Sequence, residues 1–227
     1  MRTITHQRLL IFASGTPDGG GSGAEKLLEN AFTGVLQALI VGLVSNYESG
    51  GVFHLAHRYN IPFFHLAHDF SAEKYQRLVV HTQADVVALS GWLKMVRGLD
   101  RTRTINIHPA PLPQIGGKGM YGEHALQATI DAFKAGTIQY GAVCMHFVTD
   151  EIDGGPTFFE HPIYIHGDDT VATLKKRTSP VEHGYQPLVT NLVVTGQISW
   201  DGIHEVIVPE WYRLMPFCPT HIIDNDY

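Results

Sequence analysis

Between residues 8 and 89 the chain alternates short apolar runs with segments of helical periodicity, and that alternation admits few folds. Residues 8–13, 38–44, 63–66 and 85–89 have the length and composition of buried strands. Between them lie a helical stretch at 24–32, then Val52, Leu55, Ala56 and Tyr59 at the i, i+3, i+4, i+7 spacing of an amphipathic helix. A third helix runs from a Ser71 N-cap to His81. Strand and helix in strict succession predict an α/β fold, doubly wound around a mostly parallel sheet. The run Asp85-Val86-Val87-Ala88-Leu89 is continuously apolar after its aspartate, as expected of a central strand covered on both faces.

The second half departs from this rhythm. Residues 103–108 form another strand, followed by a loop rich in proline and glycine that reaches Gly122. A helix is expected over 124–134, with Gly136 at its C-terminal cap. Two long β-rich segments, 140–148 and 157–165, flank an acidic turn and are predicted to pair antiparallel at one edge of the sheet. Residues 170–194 read as a long helix broken near Pro180 and Pro187. The last stretch, with Trp211, Pro216 and Pro219, reads as irregular surface cover. A length of 227 residues suits one large α/β domain, or one domain over 1–195 with 196–227 as a short extension packed on it.

Composition narrows the function. A net charge of −6 argues against a general nucleic-acid binder, which would need a basic face. No apolar run approaches the ~20 residues of a membrane span, and the N-terminus lacks a cleavable leader, so a cytoplasmic protein is expected. Cys144 and Cys218 are too few and too far apart for a disulfide framework or a zinc ribbon. His54 and His57 share a helix face, yet no cysteine or carboxylate completes a metal set beside them, and no metal is expected. A homodimer and a monomer both remain open.

The chemistry-bearing residues fall in a few places. Asn106 and His108, two apart on a strand, point to the same side, and Pro109 turns the chain out of the sheet beyond them. They close a strand at its carboxyl end, where doubly wound sheets bind ligands. Asp153 sits in the turn Thr149-Asp150-Glu151-Ile152-Asp153-Gly154-Gly155-Pro156. An amide, an imidazole and a carboxylate are what oxyanion stabilisation and proton transfer require. Asp150 and Glu151 read equally well as a solvated turn, and His146 as a site or a packing residue. The loop from Ser14 to Gly23 joins the first strand to the first helix, a position suited to phosphate, though it has neither a P-loop ending nor a clean GxGxxG. Gly91, Trp92, Leu93, Lys94, Met95 and Val96, just past a central strand, can hold the edge of a flat heterocycle.

On these residues the chain resembles the phosphoribosylglycinamide formyltransferases (GAR transformylases) of the folate-dependent formyltransferase family. The landmarks are Asn106-Ile107-His108-Pro109 with Leu112-Pro113, the stretch from His146 through Pro156, and Glu182-His183 with Pro187-Leu188-Val189. The resemblance covers roughly residues 8–195 and implies a Rossmann-like formyltransferase fold. It implies that 10-formyltetrahydrofolate, as co-substrate, gives its formyl group to the amine of glycinamide ribonucleotide, a step of purine biosynthesis. Asn106 and a protonated His108 would stabilise the oxyanion, with Asp153 holding His108 charged and relaying the amine proton. Leu93, Lys94, Met95, Val96, Asn106, Thr149, Asp150, Glu151, Ile152 and Asp153 would hold the folate. Gly21, Ser22 and Gly23 would take the substrate phosphate, Pro109 would contact the substrate, and Glu182 would bind the ribose. The glycine loop departs from the family's Gly-Ser-Asn by ending in Gly23, after about four extra residues. Lys118, Lys176 or Arg177 would then have to supply positive charge to the phosphate. A sugar-nucleotide N-formyltransferase and a non-catalytic folate or nucleotide sensor are the rival readings.

Overall fold

The computed structural model describes residues 6–223. Seven strands form one sheet: β1 (Gln7–Phe12), β2 (Ala38–Ser45), β3 (Phe63–His65), β4 (Val86–Leu89), β5 (Thr104–His108), β6 (Gly141–Phe147) and β7 (Thr157–Ile163). Their order is β3-β2-β1-β4-β5-β6-β7, parallel from β3 to β5 and antiparallel for the pairs β5–β6 and β6–β7. The mostly parallel sheet and its antiparallel edge agree with the expectation from sequence. The order reverses between β1 and β4, which opens a crevice at the carboxyl ends of the central strands.

Side-chain alternation along the strands divides the core. Leu9, Ile11 and Ala88 face one cluster, while Leu10, Phe12, Val87 and Leu89 face the other. The helices α1 (Ser22–Phe32), α2 (Gly51–Arg58), α4 (Gly122–Lys134) and α5 (Val171–Val194) bury Leu27, Val52, Leu126 and Leu174 in the first cluster. Helix α3 (Ala72–Thr82) covers the second through Tyr75. Ser71 precedes α3 as expected, but its side chain makes no capping hydrogen bond.

Helix α5 differs from the sequence expectation. It runs unbroken for 24 residues through Pro180 and Pro187. A proline inside a helix costs ~3 kcal/mol when nothing compensates. Here the helix is gripped along its length, since Leu174, Val189, Val193 and Val194 all lie in the large core cluster. Its start is fixed by a capping box between Thr170 and Thr173. Asp169 accepts from the His166 N–H and the Thr173 hydroxyl and pairs with Arg177.

Beyond residue 195 the chain is less irregular than its sequence suggests. It contains α6 (Glu210–Arg213) and α7 (Thr220–Ile223), and Ile198, Val206, Val208, Tyr212 and Cys218 enter the same core. The segment lies along the outer side of β7: Glu160 N–H donates to Phe217 O at 2.9 Å, and the Tyr212 hydroxyl donates to Phe158 O at 2.8 Å. Among the described residues no helix is long and apolar enough to cross a membrane.

Candidate active site

Strand β5 delivers Asn106 and His108 to the crevice, and β6 pairs with it so that His146 stands opposite Asn106. The turn between β6 and β7 then folds back over them. Gly155 makes that return tight, because a Cβ there would overlap the Phe147 carbonyl oxygen. Asp153 adopts a left-handed φ of 54°, which aims its carboxylate at the two histidines. Its Oδ2 lies 3.9 Å from His108 Nδ1 and its Oδ1 lies 3.5 Å from His146 Nε2. The Gly117 N–H donates to Oδ2 at 3.1 Å, so the glycine-rich loop before α4 helps hold the carboxylate.

The histidines have separate anchors. His108 is 3% exposed and donates from Nε2 to the Ile115 carbonyl at 2.7 Å, leaving Nδ1 to face Asp153. His146 places Nδ1 2.8 Å from Phe147 O, and its Nε2 lies 3.1 Å from Asn106 Nδ2. The second hydrogen on Asn106 Nδ2 remains for a ligand. Sequence left His146 open between site and packing; the structure places it in the cluster, joining the amide of one strand to the carboxylate of the turn.

Burial pushes the His108 imidazole below its ordinary value. The Asp153 charge and the Ile115 carbonyl oppose this without overcoming it, and His146 adds to the depression. This direction runs against the expectation that Asp153 holds His108 charged: loss of water outweighs a carboxylate that stands beyond hydrogen-bond reach. Burial acts to raise the Asp153 carboxyl. His146, His108 and the Gly117 N–H outweigh it, and the group is held below the usual carboxylate range.

These groups line a cavity of about 280 Å³. Leu93, Lys94, Met95 and Val96 form one wall, with Thr149, Glu151, Ile152 and Asp153 opposite, and Pro109 and Glu182 complete it. Asp150 is exposed and stands outside the lining, whereas Glu151 and Ile152, also exposed, reach it. Glu182, carried on α5, is pushed by burial up to about 7, against the pull of Lys175.

Gly21, Ser22 and Gly23 are not part of this lining. They begin α1 beside it, where Ser22 Oγ lies 3.0 Å from His183 Nε2, next in the chain to Glu182. Gly23 has no room for a side chain, since a Cβ would overlap the Ser90 hydroxyl, itself hydrogen-bonded to Gln186 Oε1 at 2.9 Å. That packing accounts for the glycine. Of the basic residues expected to serve the phosphate, Arg177 is committed to Asp169 and to the Tyr164 carbonyl. Among the described residues, no three His, Cys, Asp or Glu side chains gather as a metal site.

Met120 and Tyr121 also line the cavity and had no signal in sequence, lying in a loop defined only by its glycines. Chemically, the site offers a carboxamide donor, an imidazole with one free nitrogen and an ionised carboxylate around a single space. That set suits addition to a carbonyl with proton transfer.

Comparison with known proteins agrees with this chemistry. Phosphoribosylglycinamide formyltransferase of Arabidopsis thaliana chloroplasts is 28% identical over 211 residues, covering 87% of this chain and 69% of that protein. The enzyme of that name from Escherichia coli K12 is 27% identical over 192 residues, covering 80% and 86% of the two chains. The crystal structure of glycinamide ribonucleotide transformylase 1 from Symbiobacterium toebii shares the fold with a TM-score of 0.77 at 23% identity, covering 90% of this chain and 95% of that one. The sequence profile of the formyl transferase family matches residues 7–190, and the chain belongs to that family.

Proposed function

We propose that this formyl transferase moves the formyl group of 10-formyltetrahydrofolate to the amine of phosphoribosylglycinamide, a step of purine biosynthesis. The observation that carries the reading is the meeting of Asn106, His108 and Asp153 around one cavity. Relatives that cover most of the chain carry the name of that activity.

The pterin lies between Leu93–Val96 and the turn containing Thr149, Glu151, Ile152 and Asp153; exposed Asp150 is left out of the contact. The acceptor phosphate sits on the N–H groups of Gly21, Ser22 and Gly23 at the start of α1, where the helix dipole favours an anion. Glu182 takes the ribose hydroxyls, and Pro109 packs against the substrate.

The amine attacks the formyl carbon, and its lone pair becomes the new C–N bond while the carbonyl π electrons move to oxygen. Asn106 Nδ2 donates to that oxyanion. The amine proton passes to His108 Nδ1, whose ring is neutral and whose other nitrogen is tied to Ile115. Asp153 stabilises the imidazolium that forms; the oxyanion pair then re-forms the carbonyl, the C–N10 bond breaks with its electrons on N10, and a water between the two side chains carries the proton to that nitrogen.

Formyl transfer is to be assayed with phosphoribosylglycinamide and, in parallel, with a nucleotide-linked aminosugar. Turnover with the ribonucleotide is expected. Turnover with the aminosugar alone would overturn the acceptor, and folate binding without turnover on either would make the protein a sensor.

A further inference from the structure

Residues 91–96 form a wall of the cavity without belonging to any strand or helix, so side chains must hold them in shape. Two do so from behind. The indole N–H of Trp92 donates to the Tyr75 hydroxyl at 3.1 Å, and that hydroxyl donates to the Met95 carbonyl at 2.9 Å. Tyr75 comes from α3, has no solvent exposure and does not line the cavity. Its ring sits 5.6 Å from Phe12 and 6.5 Å from Trp92, while Trp92 meets Phe12 at 5.4 Å and Phe70 at 6.1 Å. The phenol thus has fixed neighbours, one donor into it and one acceptor for its proton. Burial pushes Tyr75 up to about 12, so the proton stays on at any working pH.

A planar trans peptide points its carbonyl and the following N–H in opposite directions. Holding the Met95 carbonyl toward Tyr75 turns the Val96 N–H the other way. Among the described residues no protein group accepts that N–H, and Met95 and Val96 both line the cavity. We infer that Tyr75 is a positioning residue for the folate site: by pinning the Met95 carbonyl, it presents the Val96 N–H to the cavity as a fixed donor for the pterin edge. The inference rests on the cavity taking 10-formyltetrahydrofolate. Trp92 supports it by filling the phenol's acceptor site, which leaves the phenol proton for Met95.

The test compares kinetics and stability in three variants. Tyr75→Phe keeps the ring and removes the hydroxyl. KM for 10-formyltetrahydrofolate is expected to rise about tenfold, the size of one lost, well-placed hydrogen bond. kcat should stay within about twofold and KM for the ribonucleotide should not move. Tyr212→Phe is the matched control, since it deletes a buried phenol bonded to the Phe158 carbonyl away from the cavity. It should lower Tm comparably and leave KM alone.

The double variant Tyr75→Phe with Trp92→Phe removes the orphaned indole N–H as well. It should recover part of the lost Tm while KM stays raised, because the Met95 carbonyl is still free. An unchanged KM in Tyr75→Phe, or KM recovering together with Tm in the double variant, overturns the inference. In the unmodified protein the Val96 amide should exchange freely and become protected when the folate binds. Absence of protection overturns the inference even if the variants do not fold. An unmodified protein that neither binds nor turns over 10-formyltetrahydrofolate would instead remove the proposed function.

Discussion

His108 Nδ1 and Asp153 Oδ2 face each other across 3.9 Å, too far for a direct hydrogen bond and close enough for one charge to stabilise the other. At that separation the carboxylate opposes the depression of the imidazole by burial without overcoming it.

Replacing Asp153 by asparagine preserves shape and removes the charge. kcat is expected to fall by at least ~100-fold, within the range of general acid–base contributions, with folate affinity nearly intact. Steady-state kinetics beside equilibrium folate binding checks this. A kcat close to that of the unmodified enzyme would take Asp153 out of the mechanism.

Since burial depresses His108, a ring that must accept a proton is ready at neutral and alkaline pH. kcat/KM is expected to decline as pH drops below the ordinary histidine value of about 6.5. The same depression means that the unfolded chain binds this proton more readily, so stability also falls on acidification in that window. Activity that rises on acidification would show a charged imidazole to be the working form.

Glu182, pushed up to about 7, changes charge within the physiological range. An ionised carboxylate is the better acceptor for ribose hydroxyls, so KM for the ribonucleotide should fall as pH rises through 7. Glu182→Gln should flatten that dependence. A folded-state pKa above the unfolded one means stability is lost as pH climbs from about 4.5 to 7. The glutamine variant should therefore melt higher at pH 8, by about 3 °C or more, and lose that advantage in acid. Parallel pH profiles of KM and Tm decide the matter.

His146→Leu would leave the Asn106 amide without its imidazole partner and take the imidazole from beside the Asp153 carboxylate, which would keep only the Gly117 N–H as a hydrogen-bond donor. kcat should drop about tenfold or more, and Tm should fall with it, because buried polar groups left unpaired cost ~1–3 kcal/mol. Thermal melts and turnover on the same preparation test both. A variant with full turnover would reduce His146 to packing.

The sheet is legible in sequence because its parallel strands are buried on both faces and so appear as unbroken apolar runs, as at 86–89. Asn106, His108 and Asp153 stand out because polar residues at a strand end or in a glycine-bounded turn need a reason to be there. The charge state of His108 is not legible, since it depends on how completely the 109–117 loop excludes water. The continuity of α5 escapes sequence reasoning because proline is weighed locally, while the packing that holds the helix together comes from distant core residues such as Val206 and Tyr212. Tyr75 carries no signal in sequence beyond lying in the helix after Ser71, and its bond to Met95 arises only when the fold sets it behind residues 91–96.

Strand β6 carries His146, and only β7 stands between it and the outer margin of the sheet. A bare β7 would offer its free amides and carbonyls to any extended chain that drifted past, including another copy of itself. With Phe217 accepting from Glu160 and the Tyr212 hydroxyl donating to Phe158, the C-terminal segment occupies that margin. A stretch well beyond Asp153 along the chain thereby buttresses the strand that pairs with the one carrying His146.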